Sequence, residues 1–326
     1  MAKDEKPKRV KLIVNPGAGD VSKAPQKLEE VKRYLSEAGL KVDVSMARPK
    51  KKAIPLARKA AKAGYDTIIA MGGDGTIGVV IRGMAGSKSR LGIIPAGTSN
   101  DIAGSLGIPS DLEEACDLIA SGHTRRLDLG VISTKQRKDF YFFSIVAVGL
   151  TATIYPMIKE IPEGKLYGIK DAIRTFFRFE TKPTVSLTLD DDSQIELQTM
   201  LVTIANTPLI GLRNLVAPRA SMEDGLLDIS VYPNFSKAEV LAYFARTARE
   251  NDVPDGRIQR YRARKIKIKT NPRLDIAAEG ILLGKGTAKI KVLARELSVI
   301  APESGAGMEK AAESVQLPEP VSPVEK

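Results

Sequence analysis

The hexapeptide MGGDGT at residues 71–76 constrains the fold more than any other stretch. The apolar run 66–70 before it reads as a buried parallel strand, and the stretch 77–84 after it can open a helix. Glycines at such a turn let backbone N–H groups approach a ligand with no Cβ in the way. The N-terminus of the following helix favours phosphate. Asp74 is the odd member. A bare carboxylate about 4 Å from a phosphate charge is repelled by roughly 4 kcal/mol at an effective dielectric near 20. A divalent cation between them, or a proton-handling role for the acid, removes the conflict. The hexapeptide therefore points to a magnesium–nucleotide site.

Two further turns repeat the arrangement. The strand candidate 9–14 runs into NPGAG (15–19), and the strand candidate 90–94 runs into PAGTSND (95–101). Between them, apolar residues at 24, 28, 31, 35 and 38 mark a helix, residues 41–46 alternate as a strand, and residues 52–63 mark a second helix. The resulting β-α-β-α-β-α order predicts an open parallel sheet with helices on both faces, which binds ligands at the C-terminal ends of its strands. Ser110 with Glu113 reads as a capping box for a helix over 111–120, closed by Gly122.

From residue 138 the pattern changes. Strands are expected at 140–148, 184–189, 194–205, 226–232, 264–270, 273–277, 288–292 and 297–300, with a hairpin turn at 190–193. Helices are expected at 168–179 and after a second capping pair, Ser236 with Glu239. Many short strands predict a β-sandwich. The expected organisation is an α/β nucleotide-binding domain over 1–130, a β-sandwich substrate domain over 131–300, and a disordered tail over 301–326, rich in Glu, Pro and Ser.

Charge narrows the partners. The chain carries a net +11, and its last 26 residues hold five Glu and two Lys, so the body before them carries +14. Such a body attracts nucleic acid, anionic lipid or a polyphosphate. The N-terminus shows no secretory pattern, no apolar run spans a bilayer, and the single cysteine, Cys116, fits a reducing cytoplasm. Cys116 reads as core, and the lone His123 as a packing or surface residue.

Other chemistries fit less well. Gly73, Gly75 and Gly78 spell G-x-G-x-x-G, but after the third strand rather than the first, and the next strand ends in Pro-Ala-Gly with no acid for a ribose. No His/Cys cluster suits zinc, and neither G-x-S-x-G nor the Walker pattern is present.

NPGAG, MGGDGT, LGIIPAGTSNDIAGSLGIP, RRLDLG and APRASMEDGLLDIS, in that order, resemble the bacterial diacylglycerol kinase-like lipid kinases, relatives of sphingosine kinases and, more distantly, NAD kinases. The resemblance covers residues 9–300. It implies a Rossmann-like, NAD kinase-like α/β domain and a β-sandwich with ATP in the cleft between them. It implies nucleotide contacts at Asn15, Gly17, Gly72, Gly73, Gly75, Thr76, Thr98 and Asn100, and a catalytic acid near ATP and Mg2+ at Asp74. Asn100, Asp101 and Asp128 match polar residues that brace the cleft or join its metal and water network. Asp224 and the Leu226 carbonyl match a second, structural Mg2+ site.

The family usually carries Asp-Gly-Glu late in the β-domain, its Asp the base for the lipid hydroxyl. Here the segment reads AAEGILL, so Glu279 stands at the base position and Ile281 replaces the Glu. The implied reaction is transfer of the ATP γ-phosphoryl group to a lipid hydroxyl, with Glu279 or Asp74 taking the proton. Asp74→Asn is expected to abolish transfer and Glu279→Asp to preserve or raise it. The acceptor is expected at a membrane surface, met by peripheral contact aided by the basic run 48–52, with no nucleic acid partner. Residues 154–179 are a candidate acyl-chain cleft. A weakened lipid- or nucleotide-binding relative and a kinase of a soluble acceptor such as NAD remain as alternatives.

Overall fold

A computed structural model describes residues 9–153, 174, 176–179, 182–210, 214–247 and 254–303. In the N-terminal half the strands are β1 (Arg9–Val14), β2 (Lys41–Met46), β3 (Thr67–Gly72) and β4 (Arg90–Pro95). The helices are α1 (Ala24–Glu37), α2 (Ala53–Lys62), α3 (Asp74–Met84), α4 (Asp101–Ser105) and α5 (Leu112–Ser121). β1 pairs in parallel with both β2 and β3, and β3 pairs in parallel with β4. The chain thus winds outward to β2, returns past β1 to β3, and opens a crevice at the strand ends between β1 and β3.

Strand alternation explains the two helical layers. Val10, Leu12, Val14, Ile69 and Met71 join the α1 and α5 side, with Val31, Leu35, Cys116 and Ile119. Ile13, Ile68 and Ala70 join the α2 and α3 side, with Ala53, Ala57, Ile77 and Val80. α2 and α3 pack closely because position 83 is glycine. A Cβ there would sit 2.5 Å from the Ile54 carbonyl oxygen and 2.6 Å from the Ala57 Cβ.

The C-terminal half comprises β5 (Thr124–Thr134), β6 (Phe140–Phe142), β7 (Ile145–Gly149), β8 (Thr184–Leu189), β9 (Ser193–Ala205), β10 (Leu209–Ile210), β11 (Asn214–Leu215) and β12 (Leu227–Pro233). Helix α6 (Lys237–Thr247) and the strands β13 (Gln259–Ala263), β14 (Lys265–Asn271), β15 (Asp275–Ala278), β16 (Ile281–Lys285) and β17 (Thr287–Ile300) follow. One layer runs β9-β8-β14-β17-β5-β6 and the other β16-β15-β7-β9-β12-β13. β9 contributes to both, pairing with β8 through Gln198 and with β7 from Leu201. Their inner faces share one core that includes Phe142, Val148, Leu187, Val202, Ile229, Ile266, Ile276 and Ile290.

The α/β sheet and the sandwich are joined by backbone hydrogen bonds. β17 runs antiparallel to β5 along its length and meets β4 in parallel at Val299↔Leu91. The sequence places two strands where β17 is one, because a register shift between Leu293 and Leu297 interrupts its alternation. Conversely, the expected strand 140–148 is two strands, β6 and β7, separated by a turn at Phe143 and Ser144. β16 and the short α4 carry no pattern read from the sequence. The N-cap of α5 is Asp111 rather than Ser110, its Oδ1 accepting from the N–H groups of Glu113 and Glu114. The second capping box is present: Glu239 accepts from the Ser236 N–H, and Ser236 Oγ accepts from the Glu239 N–H. Most of the expected helix 168–179, most of the acyl-cleft stretch 154–179 and the tail from 304 lie outside the described residues. Among the described residues, no helix is long and apolar enough to cross a membrane.

Candidate active site

The three glycine turns meet at the strand ends. Asn15 ties the first to the second: its Nδ2 donates to Thr76 Oγ1 at 2.9 Å, and its N–H donates to the Met71 carbonyl at 3.1 Å. Its Oδ1 also accepts from the Gly17 N–H. The second turn meets the third through bare backbone. A Cβ on Gly97 would lie 2.4 Å from the Gly73 Cα, and one on Gly73 would lie 2.9 Å from the Gly97 Cα. Asn100, in the left-handed region at φ 53°, closes the third turn by accepting from and donating to the Gly97 backbone. Gly72 packs against the Thr76 side chain, and Thr98 is exposed at the turn's rim.

Helix α3 starts at this meeting point. The Gly73 carbonyl accepts from the N–H groups of Thr76 and Ile77, leaving those of Asp74 and Gly75 at the open helix end. Lys50 reaches the same place, its Nζ lying 2.9 Å from where a Gly75 Cβ would be. A helix start, bare glycines and a lysine form a cradle for phosphate. Asp74 Oδ1 accepts from the Ile102 N–H at the start of α4, while its Oδ2 has no partner among the described residues. Asp101, the first residue of α4, is buried.

One turn further along the same face of α3 lies Gly78, about 6 Å of helical rise from Asp74. Glu279 approaches there: its Oε2 lies 3.5 Å from where a Gly78 Cβ would be. Glu279 and Gly280 form the two-residue turn between β15 and β16, both at positive φ, 53° and 69°. Two consecutive residues at positive φ are the geometry of a tight two-residue hairpin. Glu279 Oε1 accepts from the N–H groups of Ser144 at 2.7 Å and Phe143 at 3.1 Å. Burial pushes the Glu279 carboxyl above the usual range, against the lowering effect of these N–H groups and of Arg82.

The remaining expected residues gather elsewhere. Asp128 is fully buried, and its two oxygens accept from the N–H groups of Gly225 and Arg295, each at 2.7 Å. It therefore joins the EDG turn to the irregularity in β17 rather than lining the phosphate cradle. Asp224 Oδ1 accepts from the Leu226 N–H, and its other oxygen is paired with Arg262, whose Nε also lies 3.6 Å from Asp228. The guanidinium supplies the positive charge at this turn, so a divalent ion there has to displace it. Among the described residues no group of three or more His, Cys, Asp or Glu side chains gathers to hold a metal. Cys116 is core, its thiol pushed by burial up to about 12. His123 Nδ1 contacts the Ala301 carbonyl.

Residues 9–132 match the diacylglycerol kinase catalytic domain family, and residues 144–301 match the YegS C-terminal NAD kinase beta sandwich-like domain. A diacylglycerol kinase of Staphylococcus haemolyticus (strain JCSC1435) is 30% identical over 308 residues, spanning 91% of this chain and 89% of that one. The chain belongs to the diacylglycerol kinase family. A diacylglycerol kinase of Bacillus subtilis (strain 168) is 29% identical, spanning 92% of this chain and 98% of its own. A crystal structure of a diacylglycerol kinase from Bacillus anthracis str. Sterne superposes with a TM-score of 0.69 at 23% identity, covering 91% of this chain and 98% of that one. Yeast NADH kinase complexed with NADH shares the fold at a TM-score of 0.53 and 10% identity, covering 96% of this chain and 88% of that one. Membership of the diacylglycerol kinase family supports a lipid kinase, a phosphotransferase, and with it the use of a nucleotide.

Within this diacylglycerol kinase architecture, three basic residues stand at the site that the motifs do not mark: Lys50, Arg82 and Arg137. Lys50 sits in a 3-10 turn, Lys50–Lys52, that the sequence presents only as a charged run. Arg82 is two turns beyond Asp74 on the same face of α3, a spacing visible in the sequence only once that face is known to line a cleft. Arg82 and Arg137 both lie over the Phe140 ring, their Cζ atoms 4.8 and 5.6 Å from its centroid.

Proposed function

We propose that this kinase transfers the γ-phosphoryl group of ATP to the hydroxyl of a lipid, diacylglycerol or a related acceptor. The observation that carries the reading is the shared face of α3. Asp74 stands at the phosphate cradle, and Glu279 stands one turn along, against Gly78. A donor phosphate over the first turn and an acceptor hydroxyl over the second are then neighbours, which is the arrangement phosphoryl transfer requires.

The backbone N–H groups of the glycine turns and Lys50 hold the phosphates. Asp74 Oδ2 is the oxygen that would hold Mg2+ beside them, since Mg2+ is commonly bound by one or two carboxylates together with substrate phosphates. When bound, Mg2+ offsets the charge that builds up on the transferring group. Glu279 Oε2 takes the proton of the acceptor hydroxyl, while Oε1, fixed by two backbone N–H groups, holds the carboxylate in place. Its raised pKa brings it nearer the basicity that a general base needs.

Peripheral contact with an anionic membrane surface accompanies this reading. On the outer face of the sandwich Lys265 and Lys267 of β14 stand directly opposite Lys291 and Lys289 of β17, and Lys269 extends the row. Like charges in such pairs destabilise a sheet, and Asp191 pairs with Lys265 and Lys267. An anionic surface offsets the rest.

The test is transfer from γ-labelled ATP, with diacylglycerol in mixed micelles or NAD as acceptor. The expected result is label on the lipid, reduced at least a hundredfold by Asp74→Asn. Label on NAD instead makes the protein a kinase of a soluble acceptor.

A further inference from the structure

Beyond Glu279, away from the phosphate cradle, α3 presents Arg82. Asp74, Gly78 and Arg82 are spaced by four residues and share a face. The Arg82 side chain leans back along the helix, so that Nη1 lies 4.0 Å from where a Gly78 Cβ would be, beside Glu279 Oε2. Arg82 is half-buried, yet its guanidinium makes no hydrogen bond or ion pair with any described residue. Arg137 comes from the loop before β6 and shares the Phe140 ring with it. Arg137 likewise has no carboxylate partner among the described residues. Glu279 attracts Arg82 without hydrogen-bonding it, so two guanidinium groups gathered on one buried ring face a single carboxylate and keep their N–H donors for an anion from outside.

Arg137 also lines a cavity of about 530 Å³ with Gln136, Arg273, Leu282, Gly284 and Lys285. Of its cations, Lys285 is paired with Asp275 at 2.9 Å. The rim is apolar: Leu282 is 50% exposed and its neighbour Ile281 43%. A cationic hollow with an exposed aliphatic edge suits an amphiphile with a negatively charged head.

We propose that Arg82 and Arg137 form a subsite for a phosphate group carried by the acceptor itself, so that among lipids with a free hydroxyl an anionic, phosphate-bearing one is preferred over neutral diacylglycerol. The inference rests on the lipid kinase reading for the identity of the acceptor. Position excludes the donor's phosphates as the occupant. Asp74 and Arg82 are about 12 Å apart along the helix, and Glu279, which meets the acceptor hydroxyl, stands between them.

The experiment uses the full chain without ATP and a matched pair of probes, monohexanoylglycerol and hexanoylglycerol 3-phosphate, which differ only by the phosphate. Binding is followed by calorimetry, with inorganic phosphate as a third titrant. Wild type should bind the phosphate-bearing probe at least tenfold more tightly than the neutral one. Arg137→Met, at an exposed position, should remove most of that preference, and Arg82→Met with Arg137→Met all of it. Inorganic phosphate should bind more weakly than the lipid phosphate. Phosphate equal to the lipid would overturn the lipid as source, and equal affinity for both glycerol probes, or an intact preference in Arg137→Met, overturns the subsite. The kinase assay separates the two readings. An arginine-dependent preference without phosphoryl transfer to any lipid keeps the subsite and removes the kinase reading. Efficient transfer to neutral diacylglycerol with no binding preference does the reverse.

Discussion

Replacing Glu279 by Gln isolates the charge from the shape. The amide oxygen can still accept from the Ser144 and Phe143 N–H groups, at the 2.7 and 3.1 Å positions of Oε1. What is lost is the base. General-base catalysis contributes about 10²–10⁴-fold, or roughly 2.7–5.4 kcal/mol at 1.36 kcal/mol per decade. kcat should therefore fall about 10²–10⁴-fold with the KM for ATP within about threefold. The pH profile gives a second readout. Burial raises the Glu279 pKa above the ordinary value near 4.3, so the acidic limb of wild-type kcat/KM should lie above that value and vanish in Glu279→Gln. Stability has a definite sign. A carboxyl whose folded pKa is raised costs nothing below the unfolded pKa, and costs stability as pH rises from there through the folded pKa. The Tm of Glu279→Gln relative to wild type should therefore climb across that window. Glu279→Asp should lower activity, contrary to the expectation from the sequence. The shorter side chain withdraws from both N–H groups, and each unsatisfied donor costs about 1–3 kcal/mol. Wild-type kcat in Glu279→Gln, or an acidic limb that survives the substitution, would refute the role given to Glu279.

Three further substitutions probe the scaffold. Gly97→Ala forces a Cβ to within 2.4 Å of the Gly73 Cα, so the turns must separate, and calorimetry should show ATP affinity reduced at least tenfold. Thr76→Val removes the acceptor of the Asn15 Nδ2 bond; a loss of about 1–2 kcal/mol in unfolding free energy is expected, with a raised KM for ATP. Wild-type Tm should be unchanged by a chelator, because Arg262 neutralises Asp224, whereas Arg262→Met should lose stability and regain part of it on adding Mg2+.

The α/β half was legible because its signals are local: apolar strands, helical spacing, and glycine turns that each sit at the C-terminal end of a strand. MGGDGT and PAGTSND could be read as ligand turns individually. Their contact could not, since the Gly73–Gly97 approach depends on β3 and β4 lying side by side. In the sandwich the misread elements are those set by long-range pairing. β17 looks like two strands because its alternation breaks where Asp128, 167 residues earlier, accepts from the Arg295 N–H. The turn at Phe143 and Ser144 sits inside an aromatic and aliphatic run interrupted only by Ser144 itself, and its purpose becomes visible only when Glu279 is found on its N–H groups. Asp128 is marked by its motif, but its partners are not: both of its oxygens accept from backbone N–H groups, of Gly225 and Arg295, far away in the sequence.

Incubating the protein with a total lipid extract and ATP labelled at either the γ- or the α-phosphate tests the central claim most directly. The site predicts that γ-label enters the organic phase on a lipid phosphate, that α-label never does, and that Asp74→Asn abolishes the transfer. Label confined to the aqueous phase, or lipid labelling that survives Asp74→Asn, would contradict the account.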